Sequence, residues 1–328
     1  MTRALDDAGS PARAAVDRLL ADPVGVRDLQ REYREAAGPL LVESRGGNAG
    51  TIGTAFDLLL RFLVHPSPDL RMAAHGASKL GESGFASLLE IVADVGGTIS
   101  GPVAAVAPAA QPLLEPLPEG RMELGELARA CWAMALLVEV YRRGGVAPGS
   151  PLDHLDSSRS ITSADYLALA TSNDVAELAE LAGVAQVHLL PVLANCPPPW
   201  YVGPIFAGSK LMDADADLIA GQLLVEVKTN LGSKQPGGQR RAALTSETLR
   251  QILGYVLHDT DDAYQLSAVA VYDARYGLLT TWALKPLLTR LSGRQVEVDL
   301  ERSAYARMLS TGSYGDPPLV SSGSRDAS

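Results

Sequence analysis

Residues 213–228 read Asp-Ala-Asp-Ala-Asp-Leu-Ile-Ala-Gly-Gln-Leu-Leu-Val-Glu-Val-Lys, two apolar runs divided by Gly221-Gln222. A two-residue break between runs rich in β-branched residues predicts a hairpin turn. With Gly221 and Gln222 at the tip, residue 220 faces 223, 219 faces 224, Asp217 faces Glu226 and Asp215 faces Lys228. Side chains alternate along a strand, so these four polar residues are expected on one face. Opposed Cβ atoms lie about 5 Å apart, where two carboxylates repel unless a proton or a divalent cation sits between them. Hard cations such as Mg²⁺ or Mn²⁺ take carboxylate oxygens, and a lysine beside them can orient water or neutralise charge on a phosphate. The residue types therefore point to hydrolysis of a phosphodiester.

The flanking sequence extends the pattern. Thr248–His258 has helical periodicity that puts Gln251 and Tyr255 on one face, at i and i+4. Gln265–Tyr272 and Gly277–Leu284 read as two further strands, and Lys285-Pro286 opens a short helix. Upstream, Gly203–Ser209 reads as a first strand, and residues 53–62 as a helix with Asp57 and Arg61 also at i and i+4.

At these residues the chain resembles the PD-(D/E)XK nuclease superfamily. Asp217 and Glu226-Val227-Lys228 match its acid, hairpin and Glu-x-Lys order, with Ala216 standing where the pattern has proline. Gln251 and Tyr255 match the Gln-x-x-x-Tyr helix of the RecB-like branch, and Gly53-Thr54 with Asp57 is similar to that branch's Gly-Thr-x-x-(His/Asp) helix. The resemblance covers residues 45–65 and 200–292. It implies an α+β fold with a restriction-endonuclease-like core, a mixed central sheet flanked by helices; outside it, the helix-period apolar pattern from about Leu70 to Leu193, as in Glu123–Arg143, reads as a large all-helical insertion. Asp217 and Glu226 would ligate Mg²⁺ or Mn²⁺, with Asp215 in reserve, and Lys228 would position the attacking water. Gln251 and Tyr255 would hold the substrate strand, and Asp57 would add a metal contact or simply pair with Arg61. The implied activity is a metal-dependent nuclease acting on nucleic acid, DNA ahead of RNA, in defence against foreign DNA or in DNA processing. The alternative is a non-catalytic nucleic-acid-binding or assembly subunit that keeps the fold.

The expected organisation is N-terminal helices over 1–69, the helical insertion over 70–198, the nuclease-like core over 199–295 and a C-terminal extension over 296–328. Segment 98–118, rich in Pro, Ala and Gly, reads as a loop, and both chain ends read as frayed. The net charge of −10 opposes nucleic-acid binding overall, yet Lys228, Lys234, Arg240, Arg241 and Arg250 face a single acid, Glu247, across one glycine-bearing segment. Lys234, Arg240 and Arg241 are thus candidate strand contacts on a flexible loop. No uninterrupted apolar run reaches the roughly 18 residues of a membrane span, and Cys131 and Cys196 offer no disulfide framework or zinc spacing. No signal peptide pattern opens the chain, so a cytoplasmic location is expected, with no membrane partner. The insertion could serve a protein partner or self-association. Gly203–Lys210 mimics a phosphate loop but has Ser and Lys in the wrong order. His258 reads as a helix-end residue, and Trp132, Met134 and Tyr141 as core.

Overall fold

The computed structural model describes residues 1–99, 123–155 and 160–311. Most of the segment read as a loop at 98–118, and the chain end from 312, lie outside the described residues.

The sheet is built from β1 (Trp200–Val202), β2 (Leu218–Ala220), β3 (Leu223–Lys228), β6 (Ala268–Asp273) and β7 (Leu278–Ala283), with a separate two-stranded ribbon of β4 (Ser233–Lys234) and β5 (Arg240–Arg241). The order β1-β2-β3-β6-β7 is mixed: β3 and β6 run parallel, and the other pairs antiparallel. The hairpin register is the expected one, Leu218↔Val225, Ile219↔Leu224 and Ala220↔Leu223. Gly221 sets it. Its φ is +59°, and a Cβ there would lie 2.8 Å from the Pro197 carbonyl oxygen, so a residue without a side chain is needed on both counts.

The helices are α1 (Thr2–Asp6), α2 (Pro11–Arg18), α3 (Pro23–Ala36), α4 (Ala49–Val64), α5 (Arg71–Ser78), α6 (Gly81–Val95), α7 (Leu124–Arg143), α8 (Ser163–Ala168), α9 (Ser172–His188), α10 (Leu190–Leu193), α11 (Ser246–His258), α12 (Leu284–Ser292) and α13 (Val298–Thr311). They form two layers. One face of the sheet, carrying Leu218, Val225, Ala270 and Tyr272, shares a core with α4, α5, α7 and α9. The opposite face, carrying Ile219, Leu224, Val269 and Val271, packs beneath α11, with α2, α3, α12 and α13 completing that core. Alternation along each strand divides the two cores, as a sheet covered on both faces requires.

Local chemistry places the helix ends. Asn48 accepts from the N–H groups of Gly50 and Thr51 to start α4, and Thr171 and Asp174 form a reciprocal capping box at α9. Thr245 accepts from the Thr248 N–H to start α11.

Several expectations change. The first strand is Trp200–Val202, upstream of 203–209: Gly203 turns the chain at φ +59°, Pro204 lacks an N–H, and residues 207–210 form a 3₁₀ turn. Residues 2–6 are a helix packed on α11 with Leu5 buried, rather than a frayed end. The helices of segment 70–198 share one continuous core with α4 and the sheet. Tyr141 lies at the surface, stacked on His75. The stretch Ser172–Leu193 has the length and mean hydropathy, 1.3, of a membrane span. Leu178, Leu181, Ala182 and Ala185 on it are buried in the core.

Candidate active site

Lys228 ends β3 on the face that packs beneath α11, so the hairpin's polar residues and the helix meet at the end of the sheet. Glu226 is 1% exposed. Lys228 Nζ donates to Glu226 Oε1 at 2.5 Å and to Gln251 Oε1 at 2.8 Å, and Gln251 Nε2 donates to the Tyr255 hydroxyl at 2.9 Å. Helical spacing is what lets Gln251 reach both ways, since i and i+4 lie one above the other. The Tyr255 ring is held by stacking on Phe206, with centroids 5.7 Å apart, and Phe206 meets Tyr264 edge-on. Thus Asp217, Glu226, Lys228, Gln251 and Tyr255, four of them linked by hydrogen bonds or ion pairing, come together as the sequence indicates.

Asp217 joins in a way the ladder does not foretell. Pairing of β2 with β3 stops at Leu218, and the Asp217 carboxylate takes the Val227 N–H at 2.7 Å while its carbonyl accepts from the Gly203 N–H. Asp215 consequently does not pair with Lys228; it bridges Ile205, and Lys228 turns to Glu226 and Gln251. A side chain acting as ladder acceptor bends the strand out of register before Asp215 is reached.

From the opposite layer, α4 delivers Asp57 and Arg61. Arg61 Nη2 and Nε donate to Asp57 Oδ2 at 2.8 and 3.1 Å. A Cβ on Gly53, one turn before Asp57, would lie 3.2 Å from Thr229 Oγ1, so α4 passes directly beside the end of β3. Sequence reading found this pair but not its placement, because i, i+4 spacing shows that two residues meet and not what else they face.

The electrostatics follow from crowding. Burial, then Glu226 and Asp57, hold the Asp217 carboxyl well above the usual range. Burial also raises Glu226, although Lys228 opposes it. Burial works against the Lys228 charge, but Glu226 and Asp217 outweigh it and leave the ammonium harder to deprotonate than a free lysine. Lys228 is therefore a donor here, not a base.

Lys234, Arg240 and Arg241 are not among these groups. They sit on the β4–β5 ribbon, which replaces the expected flexible loop, and Arg240 and Arg241 line a separate cleft of about 860 Å³ with Arg34, Glu43, Leu231 and Gln239. The cleft begins close by, since Leu231 is only three residues beyond Lys228. The exposed Arg142 donates to Thr54 Oγ1 at 3.3 Å, one turn before Asp57 on α4.

Among the described residues no group of three or more His, Cys, Asp or Glu side chains converges closely enough to hold a metal ion. The donor set nevertheless suits a hard divalent cation. Glu226 Oε2 is buried without a hydrogen-bond partner, an arrangement that costs free energy unless something fills it. Asp217, just before β2, and Glu226, within β3, are neighbouring carboxylates, which is the chemistry such cations take.

No family model matches this chain, and neither a curated protein nor a solved structure matches it.

Proposed function

We propose that the protein is a metal-dependent nuclease of the PD-(D/E)XK type with a restriction-endonuclease-like core, acting on nucleic acid, DNA ahead of RNA. The observation that carries the reading is the linked set Glu226–Lys228–Gln251–Tyr255 beside Asp217, with one buried Glu226 oxygen open to a ligand. Asp217 and Glu226, with Asp215 nearby, would hold Mg²⁺ or Mn²⁺. When bound, such an ion supplies Lewis-acid polarisation of the phosphate and lowers the pKa of water. Lys228 then orients the attacking water and offsets charge growing on the phosphate, while Gln251 fixes the direction of that ammonium. The Tyr255 hydroxyl, already accepting from Gln251, keeps its own proton to donate to the substrate strand. Arg142 beside α4 and Lys234, Arg240 and Arg241 on the β4–β5 ribbon would supply cations for a nucleic-acid backbone. A cytoplasmic role in defence or DNA processing accords with this chemistry.

A non-catalytic binding subunit is the competing reading. It is favoured by one observation: Lys228 and Arg61 already occupy an oxygen each of Glu226 and Asp57. Incubation with circular and linear, single- and double-stranded DNA and with RNA, in Mg²⁺ or Mn²⁺, separates the two. Cleavage by the wild type that is lost in Lys228→Ala and Glu226→Gln supports the nuclease. Equal cutting by all three proteins, or by none, overturns it.

A further inference from the structure

Two cations lie among the acids of the site, and they are held differently. Lys228 ends a strand at the sheet's end and shares its contacts between Glu226 and Gln251. Arg61 is 7% exposed, comes from the other layer, and spends two donors on Asp57 Oδ2. Besides Asp57, the charges of Asp215 and Asp217 act on it and outweigh the cost of burying it. The chain makes room for this guanidinium: at Gly203 a Cβ would lie 2.3 Å from Arg61 Nη1. Those contacts take up Asp57 Oδ2, whereas Glu226 Oε2 on the hairpin side has no partner. A guanidinium cannot lose its proton to make way for a metal, as an amine could.

We propose that Arg61 is a positioning residue that fixes Asp57 and restricts the site, free of nucleic acid, to one divalent cation held by Asp217 and Glu226. The inference rests on the metal-binding reading above. A second ion taking Asp57 as a ligand would have to displace Arg61 from it.

The test is Mn²⁺ stoichiometry in the full chain without nucleic acid, by calorimetric titration and by counting free Mn²⁺ with electron paramagnetic resonance. One ion per chain is expected for the wild type and two for Arg61→Gln. A merely structural arginine would not alter the ion count. Two ions in the wild type, or one in a folded Arg61→Gln protein, overturns the proposal; the wild-type count decides if that variant does not fold. Glu226→Gln separates the layers of the argument. Loss of Mn²⁺ binding there with an unchanged count in Arg61→Gln refutes only the role of Arg61, and wild-type binding in Glu226→Gln refutes the metal site itself.

Discussion

Lys228 holds two distinct jobs, and a single substitution separates them. Its ammonium compensates the buried Glu226 and, on the proposed mechanism, meets the phosphate. Lys228→Ala is expected to lower cleavage by about 10²-fold or more, the usual scale for removing one preorganised charge from a reacting centre. The loss of stability should be much smaller, because Glu226 already holds its proton more firmly than an ordinary glutamate and can stay neutral. Parallel cleavage and urea-denaturation measurements check this; a collapse of stability with no specific loss of rate would assign Lys228 to folding alone. Asp273 is a second buried acid, 2% exposed, with Oδ1 lacking a partner. Burial raises it to about 7, overcoming the Arg275 N–H and charge. The unfolded chain releases that proton near pH 4 and the folded chain only near 7, so the folded state binds more protons in between and stability falls as pH rises through that window. His258, buried between the Gly254 and Met212 carbonyls and lowered to about 4, acts oppositely, withdrawing stability as pH falls below the free-histidine range. Asp273→Asn isolates the first effect. It should leave stability at pH 4 nearly unchanged and raise it at pH 8 by about 4 kcal/mol, and equal pH slopes in variant and wild type would refute the assignment.

At the scale of elements, the hairpin turn decides whether the acids share a face. A slip of one residue would send every side chain of the strand to the opposite side. Gly221→Val forces a β-branched residue to φ +59° against the Pro197 carbonyl. The expected cost is about 1–3 kcal/mol, with cleavage falling further than that loss alone predicts, as read from thermal melts and rates at a temperature where both proteins remain folded. This register was legible in the sequence because a strand's period is two and a Gly-Gln break between apolar runs leaves little choice of turn. The same rule extended to Asp215 failed, since it assumes that main-chain pairing continues, and the Asp217 side chain ends it by accepting the Val227 N–H. The helices α4, α7 and α11 were legible from their apolar period, whereas the first strand was misplaced because apolar content alone does not reveal that Gly203 turns the chain. The basic ribbon lies between these cases: its charges were plain, its pairing was not. Replacing Arg240 and Arg241 together with alanine should weaken nucleic-acid binding uniformly across sequences and reduce the salt dependence by about two counterions, measured by fluorescence anisotropy in Ca²⁺ at several ionic strengths. An unchanged salt slope would remove the ribbon from the substrate path.

Across the whole molecule, one buried arginine ties the end of the sheet to α9 and to the connection before α4. Arg275, in the turn between β6 and β7, donates Nε to the Thr229 carbonyl, Nη1 to the Val42 carbonyl at 3.2 Å, and Nη2 to Glu177 on α9. Glu177 and Arg275 are 98 residues apart and essentially without solvent exposure, so no local period could have announced them. Thr229 follows Lys228 directly, so the grip that holds α9 and the Val42 segment against the sheet also fixes the strand end that carries Lys228. Removing one partner leaves a buried charge uncompensated, at a cost of about 3–5 kcal/mol, whereas replacing both by apolar residues of similar volume is often close to neutral. Glu177→Leu alone is therefore expected to destabilise strongly, and Glu177→Leu with Arg275→Met to recover most of that loss in denaturant titrations. Cleavage should not recover alongside it, because the double variant still lacks the donor that holds Thr229. Full rescue of both quantities would make the pair a matter of packing alone. Rescue of stability without rescue of rate would show that the hold of Arg275 on the β3 terminus is part of what aligns Lys228.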